Sequence, residues 1–150
     1  MLRVPMLFFC TLFIAACQPV ADDTFVVTTD ASYSATLSQD GQHALISTAS
    51  NGVQLWSLTN KQLKYQWVHG VKNTSNVFDT AISNNNLYAA TLASDSVAIW
   101  NMQNGESIGW WTLPAYAQSI ALANNGHALI GLVDGSVMSL LPNSQGLIQF

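Results

Sequence analysis

The chain is short of cysteine, of charge and of any helical pattern. There are two cysteines in 150 residues, Cys10 and Cys17. Both fall in the first 17 residues, so the rest of the chain has no disulfide to staple it. Its stability has to come from packing. Only 8% of residues are charged, against about 25% in an ordinary soluble domain. Asn, Gln, Ser and Thr supply the polar surface instead. Cations are scarcest: beyond Arg3, only Lys61, Lys64 and Lys72 stand against eight acids. Three scattered lysines cannot neutralise many phosphates, which argues against a nucleic-acid partner. Motifs of chemistry are also missing. No H-E-x-x-H, P-loop or G-x-S-x-G pattern occurs, and no pair of histidines has the short spacing of converging metal ligands. No cofactor or metal is expected.

What is present begins with an apolar stretch, Met6 to Ile14, broken only by Thr11. It is too short to cross a bilayer, which needs roughly 20 apolar residues. With Arg3 before it and Ile14-Ala15-Ala16-Cys17 after it, it reads as an export signal covering residues 1–16. The last four residues resemble the lipobox of bacterial lipoproteins. That resemblance implies cleavage before Cys17, acylation of its thiol and amine, and anchoring through two or more acyl chains. Gln18 after the cysteine is similar to the sorting pattern for an outer membrane, facing the periplasm. Residues 17–30 would then hold the lipidated end, a tether (QPVADDT) and a β-prone run, Phe25 to Thr29, expected to be an unpaired strand.

From Ala31 onward one unit is written three times. Leu37, Ile82 and Leu122 stand 45 and 40 residues apart. Each is followed at similar distance by Val53, Val97 or Val137, and then by Trp56, Trp100 or Leu140. Asp40-Gly41 and Asn51-Gly52 are strong turn signals, because glycine takes positive φ without steric cost. Short alternating runs between the turns give four strands per unit. In the first unit they are Tyr33–Leu37, His43–Thr48, Val53–Trp56 and Leu63–Val68. The second unit matches the first without gaps over residues 43–68, at an offset of 44. A period of about 40–45 residues with four strands is that of a propeller blade. Blades bury their faces by stacking.

These units resemble WD-repeat β-propellers. Leu37-Ser38-Gln39-Asp40-Gly41 stands in for the family's S-P-D-G turn. Val53-Gln54-Leu55-Trp56-Ser57 and Val97-Ala98-Ile99-Trp100-Asn101 stand in for its V-x-[IL]-W-D strand, and Asn104-Gly105-Glu106 for its x-T-G. The Asp after each Trp is replaced by Ser57, Asn101 and Leu141. The resemblance implies an all-β fold of about three four-stranded antiparallel blades (31–72, 73–114 and 115–150), an incomplete ring. It also implies a tetrad of Trp, Thr, His and Asp, for which Trp100, Thr91, His69 and Asp95 are the best-placed residues. The ending at Phe150, inside a fourth strand, reads as a truncated propeller. The alternatives to truncation are a ring of six blades completed as a homodimer, or an open, poorly stable fragment.

Few residues stand out as functional. Trp56, Trp67, Trp100 and Trp111 are repeat-equivalent and are expected to pack between blades. Trp110 aligns with Gln66, so it should point away from Trp111. Together with Tyr116 it is a candidate contact point for a protein partner, the alternative being burial against a fourth blade. Asp79 is the one charged residue on the inner strands. His43 and His127 occupy equivalent strand starts. The expected function is a lipid-anchored, non-enzymatic scaffold of the bacterial cell envelope that binds protein partners. The rival is a small-molecule binder or an enzyme using the propeller's central channel.

Overall fold

In the computed structural model the described residues are 24–70, 76–142 and 147–149. Cys17, the export segment, the tether up to Asp23, residues 71–75, which include Lys72, residues 143–146 and Phe150 lie outside them. Twelve strands run in order: β1 Ser32–Leu37, β2 His43–Thr48, β3 Gly52–Ser57, β4 Gln62–Trp67, β5 Asp79–Ile82 and β6 Tyr88–Ala93. They continue with β7 Ser96–Asn101, β8 Ser107–Thr112, β9 Ala117–Leu122, β10 Ala128–Leu132, β11 Val137–Leu140 and β12 Leu147–Gln149. Every four consecutive strands form one antiparallel sheet in sequence order. No helix occurs among the described residues. The first strand of each sheet lies beside its neighbour's, β1 near β5 and β5 near β9. These are three blades of a propeller, and among the described residues they do not close a ring.

Turn chemistry sets the strand lengths. Gly52 has φ +67°, and a Cβ there would come within 2.3 Å of the Trp67 carbonyl oxygen. Only glycine lets the β2–β3 turn lie this close to the end of β4. The corresponding turn of the second blade is one residue shorter. Ser47 pairs with Val53 across the first blade, whereas Leu92 pairs with Val97 across the second. The gapless match over residues 43–68 is therefore wrong in β2 and β6. There the true offset is 45, so His43 corresponds to Tyr88, not Leu87. A similarity scan without gaps hides a deletion that falls inside a turn.

The run Phe25–Thr29 is not a strand. A strand needs a ladder partner for its backbone groups, and no described strand offers this run one. Phe25 instead lays its ring against Trp56, centroids 5.8 Å apart.

Alternation assigns each blade two faces. Leu45, Val53, Leu55 and Trp67 of the first blade meet Ala89, Ala98, Trp100 and Met102 of the second in one buried cluster. Leu92, Val97 and Ile99, from the other face of the second blade, meet Ala128, Ile130, Met138 and Leu140 of the third. The core is thus two seams between three blades.

Candidate functional site

Three places carry polar or aromatic groups that a function would use. The first is the row of inner strands. Thr36 Oγ1 donates to the Thr80 carbonyl at 2.7 Å, and Ser34 Oγ lies 2.9 Å from Thr80 Oγ1. Asp79 accepts the backbone N–H of Thr80 at 2.9 Å through one oxygen. Its other oxygen accepts the N–H of Ile120 on β9, also at 2.9 Å. Both carboxylate oxygens are engaged by backbone, so Asp79 clips the second blade to the third. Its chemistry is structural.

The second place is a hydrogen-bonded relay buried in the first seam. His69 follows β4 and is 3% exposed. Its Nδ1 lies 2.7 Å from Thr91 Oγ1 on β6, and its Nε2 lies 3.0 Å from Ser96 Oγ on β7. Trp100 Nε1 donates to Thr91 Oγ1 at 3.0 Å. Ser96 Oγ donates to Asp95 Oδ1 at 3.1 Å. Both ends fix the direction. The carboxylate only accepts, so Ser96 spends its proton on Asp95 and must accept from Nε2–H. The indole only donates, so Thr91 accepts from it and keeps its own proton to give to Nδ1. A neutral His69 with its proton on Nε2 therefore satisfies every group of the relay. Desolvation by burial pushes the imidazole down to about 4, against an upward pull from Asp95. The resemblance singled out Trp100, Thr91, His69 and Asp95 for a tetrad, and they do form one network. It missed Ser96, which stands between His69 and Asp95. The signal was its place beside Asp95 at the start of β7.

The third place is an open groove over the outer edge of the same seam, about 330 Å³ and lined by Val68, Gly70, Ala98, Trp100, Ser107 and Trp110. Trp110 pairs with Ala98, on the face turned to the first blade, while Trp111 pairs with Val97 on the other face. The two tryptophans therefore point apart, and burial of Trp110 against a fourth blade is excluded by its face. Trp110 is 48% exposed and Tyr116 66%. No ring contact joins them. Tyr116 lies between β8 and β9, where its carbonyl accepts the N–H of Val133 at 2.8 Å.

The remaining tryptophans divide. Trp67 and Trp100 stack across the first seam, centroids 5.0 Å apart and planes 8° from parallel, and Trp67 Nε1 donates to the Gly105 carbonyl at 2.9 Å. Trp111 packs against the second cluster. Trp56 differs from the expectation. It faces away from the second blade, on the outer flank of the first, where Phe25 covers it and Gln54 accepts its N–H at 2.9 Å. Among the described residues no third His, Cys, Asp or Glu joins a metal-sized cluster. His43 opens β2, and His127 bonds through Nε2 to Ser139 Oγ.

No family model and no curated protein matches the chain. Solved structures do. The chain is similar to the β-propeller domain of Cps50 (Swd1) from Myceliophteria thermophila, at 14% identity and a TM-score of 0.70, covering 85% of this chain and 40% of that one. It is similar to the WD40 repeats of RRP9, at 13% identity and a TM-score of 0.68, covering 81% of this chain and 38% of that one. It is also similar to U3-55K, at 13% identity and a TM-score of 0.70, covering 82% and 40%. The chain thus spans about 40% of the length of these propellers. At such identities the likeness is one of fold, and the fold is a WD-repeat-type β-propeller.

Proposed function

We propose that the chain is a non-enzymatic protein-binding scaffold, held in the bacterial cell envelope by an acylated Cys17. One observation carries the binding part: a half-exposed tryptophan, Trp110, in an open apolar groove over a packed seam. A large flat ring held by packed neighbours loses little freedom on contact, which makes such residues frequent anchors of protein interfaces. The groove is shallow and has one polar side chain, Ser107, so it suits an apolar side chain of a partner better than a small polar ligand. On the inner strands, the engagement of both Asp79 oxygens by backbone speaks for the scaffold over the channel enzyme. Anchoring rests on the lipobox resemblance at Ile14 to Cys17, and the envelope location follows from that anchoring.

A photo-crosslinking residue at Trp110, in protein expressed in its native membrane, tests the binding part. The expected result is one discrete adduct, absent when the same residue is placed at Gln103 on the opposite rim. Equal, diffuse labelling at both positions would overturn the reading. Intact mass tests the anchor: acylation adds the mass of its chains to a polypeptide beginning at Cys17, and Cys17→Ala should release the protein from the membrane.

A further inference from the structure

The buried relay lies in one of the two seams, and its groups are all satisfied when His69 is neutral. We propose that this relay is an acid-sensitive latch: neutral His69 holds the first blade to the second, and its protonation opens that seam.

The geometry gives the reason. An imidazolium has two N–H donors and no acceptor. A proton on Nδ1 would face the Thr91 hydroxyl, which already accepts from Trp100 Nε1. Thr91 would have to turn its own proton away, and it is fully buried. One donor is then orphaned and one charge is buried, both at a cost in stability. His69 comes from the end of the first blade, while Thr91, Asp95, Ser96 and Trp100 belong to the second. Strain in the relay is therefore strain across the seam. Beside His69 on the first-blade side lie Thr48, Gly52 and Val53, and Val77 precedes β5. The charged group that acts on it is Asp95, whose carboxylate accepts from Ser96 Oγ and pulls the imidazole upward.

The direction of the effect follows from linkage. Burial lowers the folded imidazole below its ordinary value of 6.5, to about 4. The unfolded or opened form binds the proton first, so the seam is fully held above pH 6.5 and weakens progressively down to about pH 4. Across that window the opened population should rise by up to about 300-fold, the ratio set by the two ionisation constants. Asp40 and Asp134 are lowered from 3.8 by donors from Ser38 and Gln42, and from Ser136, respectively. Their loss of stabilisation falls below the histidine window. Trp100 also floors the groove at Trp110, so an open latch would reshape the proposed partner site. That consequence rests on the reading of the groove, whereas the latch does not.

The test is an NMR titration of the His69 ring in the whole protein, with hydrogen exchange of β4 and β7 amides read at each pH and corrected for intrinsic rates. The expected result is a neutral Nε2–H ring down to about pH 4, and seam protection that falls by up to about 300-fold between pH 6.5 and 4. His69→Gln keeps one acceptor and one donor but cannot titrate, so it should flatten that loss while leaving protection at pH 7. Partner crosslinking at Trp110 is not part of this readout, so either idea can fail alone. A ring that titrates near 6.5 in the folded protein would overturn the latch. So would an unchanged pH dependence in His69→Gln. If that variant fails to fold, the titration of the natural protein decides by itself.

Discussion

The two seams hold together by different means. Between the first and second blades the contact is aromatic and polar. Trp67 stacks on Trp100, and Tyr65 Oη and Lys64 Nζ donate to the carbonyls of Gln103 and Met102 at 2.6 and 2.9 Å. His69 then threads the relay through the interior. Between the second and third blades the centre is aliphatic: Leu92, Val97 and Ile99 against Ile130, Met138 and Leu140. Its hydrogen bonds are at the margins, Asn85 Nδ2 to the Asn124 carbonyl at 2.8 Å and the Ile120 N–H to the Asp79 carboxylate. An aliphatic seam depends on volume. A relay seam depends on every donor meeting its acceptor, and it is therefore the seam that senses pH.

The sharpest break of this contrast is Trp100→Ala. It removes a stacked ring and leaves Thr91 without its donor, so we expect a loss of about 3–5 kcal/mol in urea unfolding at pH 7. Ile130→Ala strikes the other seam and should cost about 2–4 kcal/mol. That cost should be the same at pH 7 and pH 5, because the side chains buried in this cluster are apolar. A cost that changed with pH would place a titrating group in the aliphatic seam and end the distinction. Thr91→Val keeps shape and removes the hydroxyl. The orphaned indole N–H and imidazole should cost about 1–3 kcal/mol, and the change should also shift the pH at which the first seam weakens. The smallest effect is expected from Tyr65→Phe. Its hydrogen bond lies at the exposed outer edge, so the loss should be about 0.5–1.5 kcal/mol, with no change in pH dependence.

Strand positions were legible because alternation and Gly-containing turns are local. His43–Thr48 was placed to the residue, and β1, β3 and β4 to within one. The unpaired run at Phe25 was misread because β-propensity describes fitness for a pleated surface and does not supply a neighbour. The missing residue in the β6–β7 turn was hidden for a related reason: the second strands of the two blades look alike at either offset. In the candidate sites, the direction of Trp110 followed from alternation within β8. Its neighbours Val68 and Gly70 come from another blade, and no local pattern pointed to them.

By itself the sequence determined the class of this protein: all-β, repeated, cysteine-free beyond Cys17 and nearly without cations. Periodicity and turn residues are encoded within a few positions, so they survive without knowledge of the fold. Only the tertiary structure decided which faces meet. It gave Asp79 to the backbone of Ile120, inserted Ser96 between His69 and Asp95, and put Trp56 on the outer flank under Phe25 while Trp100 sits inside a seam. Equivalent positions in a repeat see different surroundings, because a blade's environment is set by the blade beside it and not by its own residues.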